Sequence, residues 1–208
     1  SSAHLTQTVS LATTQTTIGS SANPALVGQS VTITVTVTAG GNPVTTGTVS
    51  LSDGSTVLAG SLSLNGSGQA TYTTSSLSIG SHPLTATYSG TATTATSGGS
   101  LTQSVTALPT VVTLSSSANP ATVGSPVTFT ATVLQGVVPV TTGAVSFKDG
   151  ATVLSTATPN ALGVATFTTS SLASGVHVMS AAYSGAGNLL PSLATLKLTR
   201  QRQPPPRR

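Results

Sequence analysis

Two carboxylates and three imidazoles are all this chain offers for acid–base chemistry: Asp53, Asp149, His4, His82 and His177. Hydrolysis by paired carboxylates needs both acids in one cleft. The aspartates instead occupy equivalent places in two separate halves of the chain. Each precedes a glycine, and Asp53-Gly54 and Asp149-Gly150 are strong tight-turn signals between strands, which accounts for both acids. A calcium site wants several oxygen ligands, carboxylates usually among them, and one acid per half does not supply it. His82 and His177 each stand two residues after a glycine, Gly80 or Gly175, at the entry to a strand ending in Tyr88 or Tyr183. Neither has a second metal ligand in its own half, so each reads as a structural hydrogen-bond donor. Serine is abundant, but no His-Asp pair is placed to activate one and no GxSxG turn occurs. No GxxxxGK phosphate loop is present. Cysteine is absent, which removes disulfides, thiolate metal sites and cysteine nucleophiles. The expectation is a protein with no catalytic site, no metal and no cofactor.

Charge removes a further class. The net charge of +4 suggests nucleic acid, but no Lys or Arg precedes Lys148. Four of the six basic residues, Arg200, Arg202, Arg207 and Arg208, fall in the closing "RQRQPPPRR". The folded part is read as nearly neutral and the tail, residues 201–208, as a solvated, disordered end. No apolar run of about 18 residues is present, so no membrane insertion by a helix is expected. Only 4% of residues are charged, against about 25% in ordinary domains. With so few ionisable groups, stability is expected to vary little with pH.

The elements behind these residues repeat. "SSANPALVGQSVTITVTV" (20–37) returns as "SSANPATVGSPVTFTATV" (116–133), and "PVTTGTVSLSDGSTVL" (43–58) as "PVTTGAVSFKDGATVL" (139–154). "ATYTTSSLSIGSHPLTATYSG" (70–90) returns as "ATFTTSSLASGVHVMSAAYSG" (165–185), one residue closer, so a length change falls between Leu58 and Asn65. That interval leads into a hairpin marked by Asn65-Gly66, whose counterpart is Asn160-Ala161, and the second turn is expected to differ. "NGS" at 65–67 is also a formal glycosylation sequon. "HLTQTV" (4–9) matches "SLTQSV" (100–105), so residues 1–9 read as the last strand of a missing upstream repeat. The remainder divides into repeats at 10–106 and 107–200.

Each repeat alternates with period two. Val31, Ile33, Val35 and Val37 share one face of a strand over 31–39 and four threonines the other. The second copy places Val127, Phe129, Ala131 and Val133 inside. Further strands are expected near 13–19 and at 48–52, 56–63, 69–74, 82–88 and 99–105. Seven short strands in about 96 residues indicate an all-β protein: two tandem Ig-like antiparallel sandwiches of Greek-key type without a disulfide. The core is aliphatic around Tyr72, Tyr88, Phe129, Phe147, Phe167 and Tyr183.

These recurring motifs resemble the tandem immunoglobulin-like repeats of large bacterial exported proteins, over residues of about 10 to 199. The resemblance implies a spacer or stalk in an extracellular or cell-surface protein, sometimes beside adhesive or glycan-active modules. It also implies a corner where a Tyr hydroxyl ties the loop to the backbone, and His82 and His177 are read as substitutes for that tie. Such repeats often carry Asp and Asn after "YSG", and neither copy here has an acid there. The short linker "TALPT" (106–110) with Pro109 is expected to hold neighbouring repeats stiffly end to end. Two other functions stay open. One is a binding module for glycan or protein, for which surface aromatics are few. The other is self-assembly with further copies, through strand addition by Leu5, Gln7 and Val9. There, Arg200, in place of Val105, would weaken the native last strand.

Overall fold

The computed structural model describes residue 7 and residues 9–202. The first unit runs β1 (Thr14–Ser20), β2 (Ala25–Leu26), β3 (Val31–Ala39), β4 (Asn42–Pro43), β5 (Thr48–Asp53), β6 (Thr56–Ser63), β7 (Gln69–Thr74), β8 (Gly80–Tyr88) and β9 (Ser97–Thr106). The second repeats this as β10 (Val111–Ser116), β11 (Ala121–Thr122), β12 (Val127–Gln135), β13 (Val138–Pro139), β14 (Val145–Asp149), β15 (Thr152–Ala157), β16 (Val164–Thr169), β17 (Gly175–Tyr183) and β18 (Ser192–Gln201). Compact units divide at Thr106 and Ala107.

Each unit is a two-sheet sandwich. In the first, β3 pairs with β1 along one edge and β7 along the other, and β4 extends it as a hairpin. The facing sheet runs β2-β9-β8-β5-β6. The β5–β8 pairing crosses over two intervening strands, the Greek-key connection. Alternation along β3 puts Val31, Ile33, Val35 and Val37 in the core and leaves the threonines half-buried. They meet Leu51, Leu84, Ala86 and Tyr88 from the other sheet. The second core holds Phe129 and Phe147. Tyr72 and Phe167 share the inward face of buried Ala70 and Ala165 two residues earlier, and they stay half-buried because β7 and β16 are edge strands, so they pack against the core margin.

Three local expectations change. The length difference is not a hairpin matter. β5 and β6 show two register shifts where β14 and β15 show one, so the extra residue is a bulge on the edge strand, where an unpaired residue disturbs least. The Asn160 turn does not differ from the Asn65 turn. In both, the Asn Oδ1 accepts from two backbone N–H groups: Ser67 and Gln69, or Leu162 and Val164. The glycine those turns require is Gly68 or Gly163, at φ 69° and 73°, and not Gly66, so Ala161 is no obstacle.

Arg200 does not weaken the last strand. β18 pairs with β17 over nine residues and continues through Gln201, which pairs with Thr122. The Arg200 side chain turns inward, 2% exposed, so this charge belongs to the fold rather than to a tail. Of the proposed assembly strand, Leu5 lies outside the described residues. Gln7 and Val9 are exposed and belong to no strand.

Candidate functional site

The acids and the repeat-equivalent histidines meet. His82 Nδ1 lies 2.6 Å from Asp53 Oδ2, and His177 Nδ1 lies 2.6 Å from Asp149 Oδ2. The turn role therefore does not exhaust the aspartates. The register explains how. Asp53 opposes Thr56, and Asp149 opposes Thr152, so each acid is the last strand residue rather than a turn residue. Gly54-Ser55 and Gly150-Ala151 make the two-residue loops, with positive φ at the glycine alone. Asp53 also opposes Leu84 on β8, two residues from inward-facing His82. The side chains then point the same way on neighbouring strands.

An aspartate holding an imidazole is two-thirds of a serine nucleophile's machinery. The other ring nitrogen decides the matter. His82 Nε2 faces the Ser78 carbonyl oxygen at 2.8 Å, and His177 Nε2 the Ala173 carbonyl oxygen at 3.0 Å. No hydroxyl stands there to be activated. With an acceptor at each nitrogen, only the doubly protonated ring donates both bonds. The His82 pKa is accordingly raised, first by the Ser78 carbonyl, against burial, with Asp53 adding to the rise. The His177 pKa is raised chiefly by its bond to Asp149, while the nearby Arg200 cation opposes the rise. Each imidazole ring clamps the loop before β8 or β17 to the hairpin after β5 or β14. A pH dependence of stability that the sparse charge did not suggest is therefore expected.

Tyr88 secures the opposite end of its strand. Its hydroxyl donates to the Thr46 carbonyl at 3.0 Å and bonds Thr94 Oγ1 at 2.9 Å. Its ring lies on Gly47, where an added Cβ would meet the ring at 2.6 Å. Tyr183 lies the same way on Gly143, but Leu189 occupies the place of Thr94, and the buried hydroxyl has no partner among the described residues. In the first repeat the tyrosine tie and the histidine clamp thus coexist at opposite strand ends, whereas in the second the clamp stands without a bonded tyrosine hydroxyl. The histidine does not replace the tyrosine.

Arg200 was missed as a structural residue. Its guanidinium donates to the Ser125 carbonyl at 3.0 Å and the Ser170 carbonyl at 3.1 Å, tying two loops together. Asn23 and Asn119 were also missed. Each amide plugs the backbone of the last strand, Asn23 bonding Thr102 O and Ser104 N, and Asn119 bonding Lys197 O and Thr199 N. The repetition of "SSANP" was the signal for them. Among the described residues no pocket and no group of three metal-ligating side chains occurs, and no helix is long and apolar enough to cross a membrane.

This geometry defines a pair of immunoglobulin-like sandwiches held by polar ties. The bacterial Ig-like domain (group 3) matches residues 16–106 and 114–199, and the chain belongs to that family. No curated protein sequence matches it. Among solved structures it is similar to the adhesin InvE of Yersinia pseudotuberculosis at 17% identity and TM-score 0.40, over 89% of this chain and 58% of that one. FdeC, an Escherichia coli adhesin, matches at 20% identity and TM-score 0.35, over 94% of this chain and 66% of that one. The titin domains Z1Z2, solved with telethonin, match at 16% identity and TM-score 0.47, over 89% and 96%. These likenesses concern the fold.

Proposed function

We propose that the chain is a spacer in a bacterial surface or exported protein, separating other modules rather than acting on a substrate. The observation that carries this reading is the economy of the junction. β9 pairs through Thr106, which lies opposite Leu26, and Leu108 already exchanges backbone hydrogen bonds with Asn188 and Leu190 in the second unit. Ala107 alone is left without such a bond, and Pro109 follows at once. A connection that short, beside a proline, is a stiff segment rather than a flexible string, which is what a spacer needs between its modules. The His–Asp pairs support the reading too, because both ring nitrogens are spent on the fold.

The test is a pair of distance distributions between spin labels placed on the two repeats, for the native chain and for one with six Gly-Ser residues inserted after Ala107. A spacer gives a narrow native distribution that the insertion broadens. A native distribution as broad as the inserted one overturns the reading.

A further inference from the structure

We propose that the outer face of the second repeat's five-stranded sheet docks on an anionic phospholipid surface. The first repeat supplies the control, since the same face there is uncharged and, apart from Val57 at the place of Val153, carries no large exposed aliphatic side chain. In β17, Val176 and Val178 stand where β8 has Ser81 and Pro83. Lys197 replaces Thr102, Lys148 replaces Ser52, Leu193 replaces Gly98, and Ala182 replaces Thr87. Register puts all six on one surface. Lys197 opposes Val178, Leu193 opposes Ala182, and Lys148 opposes Ser180 on one side and Val153 on the other. Directly opposed side chains are neighbours at about 5 Å. Val176 is 66% exposed, Leu193 63% and Val153 56%.

This face holds both lysines of the chain, and among the described residues neither pairs with an acid. The ion pairs there are the two His–Asp contacts, and Asp149 turns inward to His177. Aliphatic side chains between unpaired cations match a surface that is negative outside and apolar beneath. Lysine is a hydrated point charge and not a fork that reads paired carboxylates, which favours diffuse lipid charge over an acidic protein. A second copy brings the same positive face and is repelled. A sugar surface finds no aromatic platform here. Arg202, exposed one residue past β18, adds a cation at the same strand end. This proposal does not depend on the spacer reading.

The experiment is co-sedimentation of the full chain with phosphatidylglycerol–phosphatidylcholine vesicles at low salt, beside vesicles of phosphatidylcholine alone. Binding is expected to require phosphatidylglycerol and to fall as salt rises. K148S/K197T is expected to weaken it roughly thirtyfold, at the usual worth of two surface cations. V176S/L193T is expected to weaken it at least severalfold. K148S, K197T and V176S install residues the first repeat already carries, and an unchanged unfolding midpoint shows that the fold survives. Absence of binding overturns the proposal, as does binding that both double variants retain. Equal competition by soluble polyglutamate for the wild type and V176S/L193T assigns the face to an acidic polymer and also overturns it, as does dimerisation through this face in light scattering.

Discussion

Asp53 and His82 meet at 2.6 Å across 29 residues of sequence, and the Ser78 carbonyl holds the far nitrogen of the same ring at 2.8 Å. An imidazole between two acceptors is a proton-retaining device. Because the folded state raises the histidine pKa above its ordinary 6.5, the folded chain binds more protons than the unfolded chain just above that value. Stability from the clamps is therefore full below about pH 6.5 and is lost as pH rises through the folded pKa. The expected outcome is an unfolding midpoint that holds below about pH 6.5 and drops as pH rises above it. D53N/D149N should flatten that profile and cost about 1–2 kcal/mol per repeat at pH 6, the range of a charge-assisted bond discounted for partial exposure. A wild-type midpoint that stays flat above about pH 6.5 sinks the idea.

The two clamps differ in one neighbour. Arg200 pushes the His177 pKa down against its other partners, and Val105 occupies that place in the first repeat. Arg200→Val should raise the His177 pKa and leave His82 where it is, as followed by imidazole proton shifts in an NMR titration. Equal movement of both histidines, or none, refutes the assignment.

Much of this was legible beforehand because a strand writes its burial into every second residue. Val31, Ile33, Val35 and Val37 declared their face without any tertiary information, and so did their counterparts in β12. The two-residue strands β2 and β4 were not legible, since two residues show no period. The clamp was illegible for a different reason. Asp53-Gly54 read as a turn, and a turn reading assigns the carboxylate elsewhere. The signal that existed was compositional: both acids and two of the three histidines fall at matching places in the two copies. Arg200 was misread by analogy with Val105, because a sequence does not show which carbonyls surround a strand end.

The burial of that guanidinium sets a third expectation. Arg200 is 2% exposed, and its Nε has no partner among the described residues. Desolvating a cation costs several kcal/mol, and two carbonyl bonds offset only part of it. Arg200→Val, the residue the first repeat uses, should leave stability within about 1 kcal/mol of wild type or raise it. Urea unfolding monitored by tyrosine fluorescence measures this. A loss above about 2 kcal/mol would show that the bonds to Ser125 and Ser170 outweigh desolvation.

Protease resistance follows from where the cations sit. Trypsin has no site before Lys148, and Lys148 and Lys197 lie inside paired strands, while Arg200 is buried. Cleavage of a paired strand requires local opening. Brief native digestion should cut after Arg202, just beyond the last paired residue, and leave residues 1–202 intact by mass spectrometry. Early cleavage at Lys148 would show that β14 opens far more readily than its two-sided pairing implies.

The turn glycines give the sharpest contrast. Gly66 follows Asn65 and looks indispensable, yet its φ is not positive and an added Cβ would meet nothing within 4 Å. Gly68 stands two residues on at φ 69°, buried, where a Cβ would come within 2.6 Å of the Val37 carbonyl oxygen. The second copy agrees: Ala161 replaces the first glycine, whereas Gly163 keeps φ 73° with Val133 O at 2.5 Å from such a Cβ. Gly66→Ala should therefore change stability by less than about 0.5 kcal/mol. Gly68→Ala should cost more than about 2 kcal/mol, from left-handed strain plus collision with backbone that has no room to yield. Denaturant unfolding of the two variants side by side decides it, and equal costs would mean that the Asn65 Oδ1 bonds, not the glycine conformation, hold the turn.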